Sequence, residues 1–238
     1  MKYLLKILIT LALMLILLWA PRIGGFVAGL FNYATIDPDG SFMWISVHHI
    51  IQALVIIPIM MILSRAFKIK FHLGLGDSTV GLKYLKRFIL VFSVYTLIAF
   101  IITLISGGFQ PFAYPLTARN VFGYLGFQLF LSGPSEELVF RAFAISAFAG
   151  LVTDKRIHKY LSISVLFATI IFGIAHINFS FNPFVMTYST FQIIYAMVLG
   201  YFYGDCYEKS KSFVYPMIMH SYTNVLMIGV TALITYLR

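Results

Sequence analysis

Glu136 and Glu137 stand side by side inside an otherwise apolar run, and Arg141 follows one helical turn later. A charge at that depth in lipid costs at least about 2.5–3.5 kcal/mol, so such a cluster is a functional-site candidate by default. At 3.6 residues per turn, Glu137 and Arg141 are i and i+4 and face one another, whereas Glu136 is rotated by about 100°. Arg141 can neutralise and orient Glu137. Glu136 is left with fewer obligations, as a general base needs. The plainer alternative is a buried ion pair that only fixes packing.

Two further pairs have i, i+4 spacing: Phe172 with His176, and His220 with Asn224. A carboxylate and an imidazole converging on one water can remove its proton, and a second imidazole with a carboxamide can hydrogen-bond a developing oxyanion. Glu136, Glu137, His176 and His220 could instead ligate zinc and leave a position open for water. The chain has neither the His-Glu-x-x-His zinc motif nor a Gly-x-Ser-x-Gly nucleophile elbow. Ser132 and Ser135 lie near the cluster but have no such context. Ser132-Gly133-Pro134-Ser135 is expected to break the run and start a new helix, which would put both carboxylates near a helix N-terminus.

The elements that must carry these side chains are set by composition. Of 238 residues, 61% are hydrophobic and only 11% charged, with a mean hydropathy of +0.92. A water-soluble core of this size does not need so much apolar surface. Apolar runs at 4–20, 42–64, 88–105, 121–150, 161–178, 188–206 and 214–237 approach the length of about 20 residues that a bilayer span requires. They are continuous and do not alternate with period two, so helices are expected and barrel strands are not. The fold class is all-α, a polytopic membrane helix bundle of about seven to eight spans in a single domain, 1–238. The stretch 106–133 is where an extra short or re-entrant segment could lie.

The formal charge of +9 does not point to nucleic acid, because the cations fall between apolar runs and form no single face. With the N-terminus in the cytoplasm, Lys2, Lys6, Arg65, Lys68, Lys70, Lys83, Lys86, Arg87, Lys155, Arg156, Lys159, Lys209 and Lys211 gather on one side, and Arg22, Arg119 and Arg238 remain on the other. This is the positive-inside pattern of a multi-pass cell-membrane protein. Cations and apolar residues interleave from Arg65 to Arg87, a composition suited to the headgroup layer of an anionic leaflet. The charged head and apolar middle of residues 1–20 have no small-x-small cleavage site before Pro21, so this run is read as a retained span.

In order along successive helices, Glu136-Glu137-x-x-x-Arg141, Phe172-x-x-x-His176 and His220-x-x-x-Asn224 resemble the signature of the CAAX protease and bacteriocin-processing family, also called the Abi family. The run from Phe191 to Gly200 and Gly204 is similar to the small-residue helix between that family's second and last motifs. The resemblance covers roughly 120–230. It implies an intramembrane endopeptidase similar to the type II CAAX prenyl endopeptidases, acting on a membrane-associated peptide or protein. It gives Glu136 and His176 the water-activating role, Glu137 a supporting position held by Arg141, and His220 with Asn224 the oxyanion site. Such proteins are described both as metalloproteases, with a divalent ion such as zinc, and as metal-independent glutamate enzymes, and the residues leave both open. Bacterial members include peptide-processing and immunity-associated proteins, so prenylation of the substrate does not follow.

Other classes fit some of the same residues. Buried carboxylates, histidines and a broken helix also mark proton- or ion-coupled transporters, although no second segment repeats the Gly133–Glu137 pattern. A non-catalytic peptide-binding or immunity protein could keep the scaffold alone. His48 and His49 match no motif and read as structural. Asn178 and Asn182 read as satisfying backbone at a helix end, Gly200 and Gly204 as helix-packing positions, and Cys206 as an ordinary helix residue. One difficulty concerns depth. In straight helices Glu136 and His176 lie about 20–24 Å from the cytoplasmic helix ends but His220 only about 10 Å, so the three would not meet.

Overall fold

The computed structural model describes residues 2–181 and 183–238. It is predominantly helical. The long helices are α1 (Lys2–Ala28), α2 (Met43–Phe67) and α3 (Ser78–Ile105). A rod follows from α4 (Ala118–Phe127) through α5 (Gly133–Glu137) to α6 (Ala144–Leu151), and then come α7 (Ile163–Ala175), α8 (Thr190–Ser210) and α9 (Val214–Leu237). Two small antiparallel hairpins depart from the all-α expectation. Strands β1 (Arg156–His158) and β2 (Leu161–Ser162) precede α7, and β3 (Asn178–Phe181) and β4 (Phe184–Thr187) follow it.

Side-chain caps fix several helix starts. Asp77 accepts from the Val80 N–H, Thr117 from Asn120, Ser162 from Val165 and Ser189 from Gln192, each satisfying a donor that the first turn would leave free. Among the described residues, α1, α2, α3 and α9 are long and apolar enough to cross a membrane. Their outward surfaces are apolar, with Leu4, Ile62, Leu90 and Leu97 all exposed, and lipid is the solvent for which such a surface is stable. Of the stretch 106–133, residues 106–117 hold no helix and the remainder is the first part of the rod.

The rod sits at the centre, and every residue from Val139 to Phe148 is buried. Contrary to expectation, it does not break at Ser132–Pro134. Ser132 and Gly133 keep right-handed helical dihedrals, and the chain passes through two π-helical turns, Gln128–Ser132 and Leu138–Phe143, with α5 between them. Pro134 brings no N–H and crowds the preceding turn. A wider π turn just before it accommodates the ring, and the Ser221 hydroxyl donates to the Leu129 carbonyl at 2.9 Å. The carboxylates therefore lie mid-rod and not near a helix N-terminus.

The depth difficulty resolves at the start of α9. Ser210 and Ser212 are fully buried because residues 68–77 fold beneath the α8–α9 turn. The Asp77 N–H donates to the Ser210 carbonyl, the Phe213 N–H to the His72 carbonyl and the Ser212 hydroxyl to the Gly74 carbonyl. Helix α9 thus begins inside the protein, which lifts His220 to the level of the rod's carboxylates.

Candidate active site

Glu137 is fully buried and doubly held. Arg141 Nη1 lies 3.0 Å and His220 Nδ1 2.7 Å from its Oε1. A carboxylate can only accept here, so His220 carries its proton on Nδ1. Arg141 is also buried, with its guanidinium 4.2 Å from the Phe172 ring centroid and 5.3 Å from that of Tyr203. Gly200 makes this sandwich possible, since a Cβ there would stand 3.1 Å from Phe172 and 3.3 Å from Arg141 Nη2. Gly204 admits Val165 and Ile145 in the same way.

Glu136 has a different environment. It lines a cavity of about 600 Å³ bounded by α1, α2, the rod, α7 and the β3–β4 hairpin, and it is the one carboxylate among the lining residues. Its side chain retains 18% exposure. His49 Nε2 stands 3.8 Å from Oε1 and His220 Nε2 3.8 Å from Oε2. Both separations are too long for a direct hydrogen bond, and Glu136 makes none among the described residues.

His176 caps the end of α7 and lines the same cavity. Its Nδ1 lies 2.7 Å from the Phe172 carbonyl. A carbonyl cannot donate, so Nδ1 is the donor in this contact, and Nε2 is the ring nitrogen left over for the cavity. Asn224 is one turn beyond His220, half-buried, and donates from Nδ2 to the Ser132 hydroxyl at 3.0 Å. It does not line the cavity. The six candidates from the three motifs are thus gathered around the rod, with Asn224 at the margin. Asn178 lines the cavity, and Asn182 lies outside the described residues.

The sequence reading missed the contribution of α2. His49 is buried, and its Nδ1 lies 2.7 Å from Ser135 Oγ and 3.1 Å from Gln52 Nε2; Gln52 also donates to Ser135 at 2.7 Å. Gln52 Nε2 can only donate, so His49 Nδ1 accepts and Nε2–H is aimed at Glu136. The available signal was the His49–Gln52 spacing of three residues within an apolar run, which puts both on one helix face.

Among the described residues no group of three or more His, Cys, Asp or Glu side chains is placed to hold a metal ion. Of the four candidate ligands, Glu137 is already taken up by Arg141 and His220, and the step below is written with the protein's own groups. Residues 118–226 match the family model described as type II CAAX prenyl endopeptidase Rce1-like. No curated protein and no solved structure matches the chain.

Proposed function

We propose that the chain, whose residues 118–226 match the Rce1-like type II CAAX prenyl endopeptidase model, is an intramembrane endopeptidase in which Glu136 activates water against a membrane-associated peptide. The observation that carries this reading is the state of Glu136, a cavity-lining carboxylate with no direct hydrogen bond and imidazole nitrogens 3.8 Å away on either side.

A water between Glu136 and the free Nε2 of His176 gives its proton to the carboxylate as its oxygen attacks the scissile carbonyl. The tetrahedral intermediate carries the negative charge on the former carbonyl oxygen. The N–H of His49 is the donor at hand for it; His220 gives its Nδ1 proton to Glu137, and Asn224 gives its amide to Ser132. Collapse breaks the C–N bond, and the proton held by Glu136 passes to the leaving amine, which restores the carboxylate. Glu137 takes no proton in this scheme. Its pairing with Arg141 and the Nδ1–H of His220 fixes the imidazole and keeps Glu136 as the one reactive carboxylate.

The test compares membrane and secreted peptides from cells carrying the wild-type protein or Glu136→Ala. Peptides or new termini that disappear in the variant at equal folded abundance support proteolysis and name substrates. Identical peptide sets would overturn it.

A further inference from the structure

At the other end of α2 from His49, a second cavity of about 300 Å³ opens between the ends of α2, α6, α7 and α8. Lys68, Lys70 and Lys211 line it and are exposed, and His72 stands beside them. Burial, then Lys211, then Lys70 lower the His72 pKa, so both lysine charges are felt at its ring. The one acid in the lining, Glu208, is paired with Arg156 at 2.6 Å. Among the described residues the three lysines have no ion pair. Part of the wall is apolar, including Ile69 and Ile145, and Ser146 and Tyr207, also in the lining, share a hydrogen bond at 2.7 Å.

The backbone adds an independent observation. Among the described residues the non-glycine positions with positive φ are Lys68 at 58°, His72 at 46° and Lys211 at 50°, and all of them line this cavity. Lys68 and Lys211 occupy the left-handed positions that end α2 and α8, where glycine is conformationally cheaper. Lysine there could simply complement the carbonyl ends of those helices. That reading does not explain why cations from separate elements converge on one cavity with a partly apolar wall.

We propose that this cavity binds a phosphate-bearing ligand, its phosphate held by Lys68, Lys70 and Lys211 and its apolar part against the Ile69–Ile145 wall. An anionic membrane lipid and a soluble phosphate ester share this chemistry. The site is separate from Glu136 and independent of the proteolytic reading.

The full chain is reconstituted in nanodiscs of phosphatidylcholine alone or with phosphatidylglycerol, and retained lipid is counted by native mass spectrometry while Tm is recorded. Wild-type protein retains phosphatidylglycerol in preference and melts higher with it. Lys68→Gly with Lys211→Gly relaxes both backbone positions, so folding is kept, while each lost cation weakens anionic binding about fivefold. Lys70→Gln tests the same site at a position without positive φ. Inorganic phosphate added to phosphatidylcholine discs separates the sources. A rise in Tm that the glycine variant lacks, without preferential phosphatidylglycerol retention, assigns the site to soluble phosphate. No preference for either phosphate source, or equal retention by wild type and both variants, overturns the proposal.

Discussion

Adjacent carboxylates, Glu136 and Glu137, meet different surroundings because one residue of helix rotates a side chain by about 100°. Glu137 points into the protein, where Arg141 and His220 hold it, and Glu136 points into a cavity. Removing one partner of a buried ion pair leaves the other uncompensated, so Arg141→Ala is expected to lower stability by about 3–5 kcal/mol. Thermal unfolding in detergent checks this, and a change under about 1 kcal/mol, the scale of exposed pairs, would contradict it. Asp37 offers a pH test outside the membrane. Burial alone would raise its pKa, but N–H donors from Met43, Phe42 and Ser41 and the Ser41 hydroxyl together hold it below the ordinary carboxylate range. A folded-state pKa below the unfolded one means that this group stabilises the fold above the ordinary carboxylate range and that the contribution is lost as pH falls through the depressed value. The drop in Tm on acidification should be shallower in Asp37→Asn than in wild type, and equal slopes would refute the assignment.

At the scale of elements, the i, i+4 spacings were legible in the sequence because helical periodicity alone sets them. The course of the rod was not. Gly133-Pro134 carries the usual signature of a helix break, yet the missing N–H is accommodated by a π turn and by Ser221 from a helix 80 or more residues away in the chain, about which local sequence says nothing. Gly133 serves close approach instead of termination. A Cβ there would lie 2.4 Å from Ser221 Oγ, 2.9 Å from its nitrogen and 3.0 Å from the Met217 carbonyl. Gly133→Ala must push α9 outward and carry His220 away from Glu137. The expected cost is about 1–3 kcal/mol together with loss of cleavage, and an unaltered Tm and rate would show that the helices do not need this contact. His49 was passed over for a similar reason, since nothing in α2 itself reveals that the helix lies against Ser135 and Glu136.

For the whole molecule, length and hydropathy located the long apolar helices well, while the short hairpins and the buried α8–α9 turn depend on contacts between distant segments. The charge pattern leads us to propose seven passes with the N-terminus inside, the rod, α7 and α8 completing the set begun by α1, α2, α3 and α9. In a Cys206→Ser background, a membrane-impermeant thiol reagent should label Asp39→Cys in intact cells and Lys155→Cys only after permeabilisation. Labelling in the reverse order would invert the topology. It would also turn the Glu136 cavity, bounded by α1, α2 and α7 on the Asp39 side of the bundle, toward the opposite face of the membrane.

The proteolytic claim rests on Glu136, and the most direct measurement is single-turnover cleavage of a peptide found in the comparative experiment, using reconstituted protein. We expect Glu136→Gln to reduce the rate by about 10²–10⁴-fold, the range of a general base, with Tm unchanged. His49→Ala, which removes the proposed oxyanion donor, should cost about 10²–10³-fold. Cleavage by folded Glu136→Gln at the wild-type rate would contradict the account.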